Sequence, residues 1–237
     1  MKTTELYKQF LQYRQSGDAN IEGRCLSNIC NALTLSDWNR FRLAYYYSTT
    51  YNIDSALKLL SNPRLTVEEI SLRTDRRYAR CNGAYPKIMS QLDLSMFENI
   101  RKVKTTKQAV QYVNTWYFFG RYATFLFLET YFSIFSPRWI DDVTFGWEPN
   151  ENYTLGAKTL IFQQTNEALD SLLELLKSER TWRGNGISFS IETSLCGWWK
   201  ILKGTRYYGF YTERLLNITG FIQNGYSTKL LKVNIET

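Results

Sequence analysis

The stretch LIFQQTNEALDSLLELL (160–176) indicates the fold class of this chain most clearly. Its apolar side chains recur at spacings of three, four and seven residues. They are Ile161, Ala168, Leu169, Leu172, Leu175 and Leu176. Such spacing places apolar side chains on one face of an α-helix. The stretch therefore predicts an amphipathic helix that covers a core.

Other segments on both sides of this stretch also follow a helical pattern. SDWNRFRLAYYYSTTY (36–51) starts with Ser36 as an N-cap and Asp37 in the first turn, which is typical of a helix start. The aromatic segment 106–135 is divided or bent at Gly120. Further helices are predicted over 4–14, 55–60, 67–72, 191–202 and 208–218, with loops at Pro63, Pro86, Pro137 and Pro149. Alternation at period two is scarce, so the sequence predicts a mainly α fold.

The predicted organisation is a single helical bundle over residues 1–237. No repeat, low-complexity tract or linker rich in Gly, Ser and Pro divides the chain, and the loop 137–156 is the seam if there are two lobes. The N-terminus MKTTELYKQF lacks the apolar run of a signal peptide, and no run of about 18 apolar residues predicts a membrane span. The four cysteines form no CxxC pair. These features favour a reducing cytoplasm.

Charge and composition narrow the chemistry. The net charge is +7 and aromatic residues make up 16% of the chain. A basic chain favours an anionic partner, and Tyr and Trp rings either fill a core or stack on bases. The chain contains no histidine. Serine or cysteine triads with histidine and zinc sites built on Cys and His spacing are therefore excluded, and acid–base work falls to Asp, Glu, Lys, Tyr or water.

The segment FGRYATFLFLE (119–129) combines charge with an apolar helix. Arg121, Phe125 and Glu129 lie at i, i+4 and i+8, so a cation, a ring and a carboxylate share one face. A charge within such a segment is costly unless it is paired or used. The segment indicates either a polar functional pocket or a buried pairing of Arg121 and Glu129.

The segment IETSLCGWWKILKGTRYYGFYTER (191–214) is the second such cluster. Glu192, Cys196 and either Lys200 or Lys203 fall on adjacent turns of one helix. Basic residues interleaved with rings suit a groove for phosphate and base, and a solvated basic face beside a packed helix is the alternative. Without a neighbouring imidazole, Cys196 is expected to be a buried thiol rather than a nucleophile.

Two weaker patterns concern phosphate binding. GAKT (156–159) is not a P-loop, because Ala157 precedes the lysine and no glycine stands five positions before it. It predicts either an ordinary helix start or a glycine turn whose N–H groups bind phosphate beside Lys158. The segment 64–107 is rich in basic residues that suit DNA phosphates or a solvated surface. They are Arg73, Arg76, Arg77, Arg80, Lys87, Arg101, Lys102 and Lys104.

Taken together, these blocks resemble the amino acid:DNA transferases of phage DNA hypermodification, relatives of the α-glutamyl/putrescinyl-thymine pyrophosphorylases. The matching blocks are RFRLAYYYSTTYNIDSAL (40–57), TDRRYAR (74–80), FGRYATFLFLE (119–129), GAK (156–158) and ETSLCGWWKILKGTRYYGFYTER (192–214). The resemblance implies a fold like that of helical DNA glycosylases. The hairpin glycine motif of helix-hairpin-helix glycosylases is not visible in the sequence, which disfavours base excision.

The resemblance also implies a reaction and its partners. An amino acid would be attached to a pyrophosphorylated 5-hydroxymethylpyrimidine base in DNA, with pyrophosphate as the leaving group. The partners would be the modified DNA, a free amino acid and an upstream base kinase, in the host cytoplasm if the chain is phage-encoded. Mg²⁺ could assist departure of pyrophosphate, but no metal ligands are assigned.

The residues can be given roles in that reaction. Glu129 and Glu192 are the candidate bases, because an apolar, aromatic segment is expected to raise the pKa of a carboxyl. Asp170 is a weaker candidate, since it falls on the polar face of its helix. Arg121 is assigned to catalysis at the leaving group. Pyrophosphate binding is assigned to Lys158, Lys200, Lys203 and Arg206, and DNA binding to Arg76, Arg77, Tyr207, Tyr211 and Arg214.

Three other functions remain open at the level of the sequence. One is a non-catalytic DNA-binding protein that uses the same basic and aromatic surface. Another is a helical glycosylase-like enzyme that processes bases. A helical nucleotide kinase is disfavoured by the absent P-loop. Carboxylates set beside cations, at Glu129 and Glu192, favour an enzyme because a passive phosphate binder does not need them.

Overall fold

The computed structural model describes residues 3–13, 21–72, 83–142, 145–179 and 186–205. These residues form eleven α-helices and no β-strand, apart from one isolated parallel bridge between Thr105 and Ile140. The predicted mainly α fold is confirmed. No helix in these ranges is long and apolar enough to cross a membrane.

The helices group into two compact units. The bounds are α1 Thr3–Tyr13, α2 Ile21–Ala32, α3 Asp37–Thr50, α4 Ile53–Ser61, α5 Ala84–Ser90, α6 Leu94–Lys102, α7 Thr106–Val113, α8 Arg121–Phe135, α9 Asn152–Lys158, α10 Asn166–Ser178 and α11 Ile187–Leu202. Among the described residues, unit 1 contains α1 and α9–α11, and unit 2 contains α2–α8. The chain passes from unit 2 to unit 1 between Ile140 and Asp141. The last part of the segment 137–156, which was expected to be a loop, is helical, because α9 begins at Asn152.

Helix α3 forms the centre of unit 2. Ser36 caps it as predicted, accepting a hydrogen bond from the Asn39 N–H at 3.3 Å, and ten of its fourteen residues are buried. The ring of Phe41 has centroids of other rings 5.3–6.5 Å away, on α6, on α8 and just after α7. These rings belong to Phe97, Trp116, Phe127 and Tyr131. Each such pair contributes about 0.5–1.5 kcal/mol beyond burial, so many of the aromatic residues of unit 2 stabilise its core.

Unit 1 is built around the contact between α9 and α11. Gly156 lies so close to α11 that a Cβ atom there would be 2.3 Å from the Leu195 carbonyl oxygen. The N-terminal turn of α11 is capped from outside the helix, because Asp141 Oδ2 accepts a hydrogen bond from the Ser188 N–H at 2.9 Å. Trp198 on α11 is buried, and its indole N–H donates to Thr159 Oγ1 at 2.9 Å.

Two local predictions are wrong. Residues 67–72 are not helical but follow a turn, in which Glu69 Oε2 accepts from the Thr66 N–H at 2.7 Å and the Glu69 N–H donates to the Thr66 carbonyl. This local side-chain bond competes with helix formation. Pro86 lies inside α5 rather than in a loop. It occupies the first turn, where backbone N–H groups have no partner within the helix and proline is tolerated.

The helix predicted over 160–176 begins later, at Asn166. Thr165 caps it by accepting from the Ala168 N–H at 3.2 Å, and a capping residue sets the helix start. Ile161 therefore precedes the helix, while Leu169, Leu173 and Leu176 are its buried residues. Helices α2, α5, α6 and α9 were not predicted. The helix expected over 208–218 lies outside the described residues.

Candidate functional site

Helix α8 carries its charged residues on one half-buried face. Gly120 is its N-cap, as the break at this residue predicted, and Arg121, Phe125 and Glu129 are all half-buried. The Arg121 guanidinium carbon lies 5.2 Å from the centroid of the Phe125 ring. The helix is otherwise largely buried, at Ala123, Thr124, Leu126, Phe127, Leu128, Thr130, Tyr131, Phe132 and Ile134. The face is therefore a polar boundary on a core helix, and neither charged residue is fully buried.

Glu129 is the only carboxylate available on α8. It is also the only Asp or Glu between Glu98 and Asp141 in the sequence. The other titratable group buried on this helix is Tyr131, whose pKa is raised to about 12 by burial. That phenol stays protonated near neutral pH and does not act as a base. Proton acceptance on this helix therefore falls to Glu129.

Helix α11 in unit 1 carries a second half-buried face. Glu192, Cys196 and Lys200 lie on it, as their spacing predicted, and the Cys196 thiol contacts Glu192 Oε1 at 3.9 Å. Cys196 is only partly buried, so the expectation of a buried thiol is wrong. Lys203 follows the end of the helix, and its Nζ lies 5.1 Å from the centroid of the Trp199 ring. The face combines a carboxylate, a thiol and two ammonium groups.

Both alternatives predicted for residues 156–159, an ordinary helix start and a glycine turn, are wrong, because this segment is the end of a helix. Gly156 lies within α9, and Lys158 is the last residue of this helix. A helix C-terminus presents carbonyl groups rather than N–H donors, so this segment offers no backbone cradle for a phosphate. The glycine instead permits the close approach of α11. Lys158, half-buried at the negative end of the helix dipole, is placed favourably for a cation.

The sequence-derived site residues fall into three groups. Arg121 and Glu129 belong to unit 2, whereas Glu192, Lys158, Lys200 and Lys203 belong to unit 1. The remainder lie outside the described residues, namely Arg76, Arg77, Arg206, Tyr207, Tyr211 and Arg214.

Sequence reasoning missed two features. The first is a groove of about 780 Å³ in unit 1, between α1, α10 and the segment that leads into α10. Its walls are largely apolar, with polar residues such as Lys8, Glu167 and Glu179, and its volume is typical of small-molecule sites. None of the sequence-derived site residues is among its described lining residues. No motif pointed to the groove, because it depends on how α1 lies against α10.

The second missed feature is the aromatic surface beside α8 in unit 2. Phe118 and Tyr122 are exposed over 41% and 48% of their surface. Close by, Lys87 Nζ lies 4.1 Å from the centroid of the Tyr117 ring. The run YFFGRY (117–122) is the sequence signal for this surface, but its rings fit the predicted helical segment 106–135 equally well.

Comparison of the chain with protein-family models, curated proteins and solved structures finds no match. In the part of the chain that the structure describes, no group of three or more Cys, Asp or Glu side chains is arranged to hold a metal ion.

Proposed function

We propose that this protein is a transferase that attaches an amino acid to a pyrophosphorylated 5-hydroxymethylpyrimidine base in DNA. The observation that carries the proposal is the half-buried face of α8, where Arg121, Phe125 and Glu129 are aligned. A carboxylate and a cation on the same face of an aromatic helix, two turns apart, supply a proton acceptor and an anion-binding group. Those are the two functions that displacement of pyrophosphate requires in a chain without histidine.

The reaction assigns one role to each group. The amine or hydroxyl of the amino acid forms a bond to the exocyclic methylene carbon of the base. The carbon–oxygen bond to pyrophosphate breaks, and pyrophosphate leaves with that electron pair. Glu129 accepts the proton from the nucleophile, while Arg121 donates hydrogen bonds to the departing anion. Phe125 holds the guanidinium by a cation–π contact.

The remaining assignments are part of the same proposal. Glu192 is the alternative base, with Lys200 and Lys203 on the same side of α11 as anion-binding groups. Lys158 would act as a point charge on pyrophosphate, without backbone donors. Roles for Arg206 on pyrophosphate and for Arg76, Arg77, Tyr207, Tyr211 and Arg214 on DNA follow from the resemblance. Mg²⁺ would assist the leaving group if it accompanies pyrophosphate, and an upstream kinase supplies the activated base.

The test is direct observation of the product. DNA containing pyrophosphorylated hydroxymethyluracil is incubated with the protein and a mixture of amino acids, and the nucleosides are then analysed by mass spectrometry. The expected result is a nucleoside that is heavier than the unmodified hydroxymethyluracil nucleoside by the mass of one amino-acid residue. Pyrophosphate should be released together with it. Absence of any adduct across the whole mixture, with the protein folded, contradicts the proposal.

Substitution of the base tests the mechanism. Glu129→Gln keeps shape and hydrogen-bonding reach but removes basicity, so single-turnover product formation should fall by about 10²–10⁴-fold. Glu192→Gln is measured in parallel to separate the two candidate bases. Glu98→Gln is the matched control, because Glu98 is exposed on α6 of the same unit. If both candidate variants stay folded and within about threefold of wild type, a carboxylate base contributes less than general-base catalysis normally does.

The second candidate function is passive DNA binding. It is favoured by four exposed cations at the end of α6 and the start of α7, where Glu98 is the only nearby acidic residue in the sequence. These are Arg101, Lys102, Lys104 and Lys107. Tight DNA binding that does not depend on base modification, combined with no adduct, would identify this function.

A further inference from the structure

The connection between α7 and α8 presents rings outward from unit 2. Phe118 and the first-turn residue Tyr122 expose 41% and 48% of their surface, although most large apolar residues of the unit are buried. Tyr117 and Phe118 meet edge to face, with centroids 4.7 Å apart. We call Tyr117, Phe118 and Tyr122, together with the cations Lys87 and Arg121, the ring surface.

The backbone of this connection is held from another helix. Gln91, at the end of α5, accepts from the Tyr117 N–H at 2.7 Å and donates to the Tyr117 carbonyl at 2.9 Å. The same amide nitrogen donates to the hydroxyl of buried Tyr45 at 2.7 Å. Phe118 therefore follows a residue clamped on both backbone groups. A clamped connection presents its rings with little conformational entropy to lose on binding.

Phe118 adopts a backbone conformation that a bulky residue normally avoids. Its φ is +63°, in the left-handed region where glycine is favoured. Strained residues of this kind persist where the surrounding structure holds them, and they cluster at sites of binding. Thr34, Tyr51, Ser136 and Trp147 also have a positive φ, but among these five described residues Phe118 is the only one with an exposed aromatic ring.

The positive charge in the sequence around the ring surface favours an anionic binding partner. Residues 99–128 contain no Asp or Glu, and they contain five cations, Arg101, Lys102, Lys104, Lys107 and Arg121. Lys87 adds an exposed ammonium 4.1 Å from the centroid of the Tyr117 ring. Cations beside exposed rings suit unpaired nucleic acid, which offers phosphates and free base faces together. A duplex offers the phosphates but keeps its base faces stacked.

We infer that the ring surface stacks on an unpaired base of the DNA substrate, with Phe118 as the principal stacking residue and Lys87 and Arg121 near the phosphates. This inference rests on the proposed function in taking DNA as the substrate, and it specifies the substrate class as single-stranded or locally opened DNA. The target base would then be presented outside the duplex, which is what chemistry on a base requires.

Binding to three labelled DNAs tests the inference by fluorescence anisotropy. These are a short single strand, the same strand in a duplex, and a strand of equal length whose sugars carry no bases. Phe118→Ala should weaken binding to the single strand by about 5-fold to 150-fold, the range expected from loss of one base–aromatic stack. Affinity for the strand without bases should not change, because its phosphates still meet the same cations. Phe118→Trp should restore binding.

Two controls separate binding from folding. Phe118→Gly removes the ring and also relieves the strain of the left-handed backbone, so it should raise the Tm by about 2–4 °C. Its affinity for the single strand should fall as much as that of Phe118→Ala. Leu94→Ala truncates another exposed apolar residue of unit 2 and should bind like wild type. Unchanged single-strand affinity of Phe118→Ala, or an equal loss on the strand without bases, would overturn the inference.

The outcome is distinguishable from failure of the proposed function. If the protein binds unpaired DNA through Phe118 but yields no amino-acid adduct, the inference about the ring surface is supported and the transferase proposal is contradicted. If adducts form and Phe118→Ala produces them at the wild-type KM and kcat, the transferase proposal is supported and the inference about the ring surface is contradicted.

Discussion

At the scale of single residues, the effect of the planar shape of the Arg121 guanidinium can be tested separately from the effect of its charge. Arg121→Lys keeps the cation but loses the planar fork that gives bidentate contacts to an anion. We expect turnover to fall by at least tenfold with little change in Tm. Arg101→Lys is the matched control, because the Arg101 guanidinium lies 5.2 Å from the Phe97 centroid, the same distance as in the Arg121–Phe125 pair. Wild-type turnover of Arg121→Lys would assign Arg121 to packing alone.

Cys30 and Cys196 are expected to differ in reactivity because they differ in burial. Cys30 is fully buried, and burial raises the pKa of its thiol to about 12. At pH 8 its thiolate, the reactive form, is therefore scarce, whereas Cys196 is only partly buried and accessible to a small reagent. We expect iodoacetamide to modify Cys196 long before Cys30, as read by mass spectrometry of peptides. Equal rates in the native protein would contradict this difference, and the denatured protein supplies the reference.

At the scale of helices, the contact between α9 and α11 depends on one missing Cβ. Gly156→Ala would place a methyl group 2.3 Å from the Leu195 carbonyl oxygen, a backbone atom that cannot rotate away. The expected loss is about 1–3 kcal/mol of the free energy of unfolding, measured by urea denaturation. Gly146→Ala is the control within unit 1, because nothing lies within 4 Å of its Cβ position. Equal stability of the two variants would show that the helices separate at little cost.

At the scale of the whole molecule, the net charge of +7 sets how DNA binding responds to salt. Each phosphate contact releases counterions, so contact with about four phosphates of a single strand predicts a loss of roughly 50-fold in affinity between 50 and 200 mM salt. Fluorescence anisotropy with a short DNA strand measures this slope. An uncharged oligonucleotide analogue of the same sequence should not bind at low salt. An affinity that does not change with salt would contradict both proposed functions, the transferase and the passive DNA-binding protein.

The sequence by itself determined the features that depend on a few neighbouring residues. The helical class follows from apolar spacing, the start of α3 from the Ser36 cap, and the start of α8 from Gly120. The shared face of Arg121, Phe125 and Glu129 follows from helical geometry alone. The functional roles of these residues are still predictions, because side-chain spacing specifies a face and not a reaction.

Only the tertiary structure decided the features that depend on residues far apart in the sequence. Gly156 proved to be a helix contact rather than a phosphate turn, because its neighbour is Leu195 on another helix. The groove beside α10 exists through α1, more than a hundred residues away along the chain. Phe118 is displayed in a left-handed conformation on a connection that Gln91 of α5 clamps. Periodicity and capping report local free energies, whereas exposure, close approach and clamping depend on which distant segments pack together.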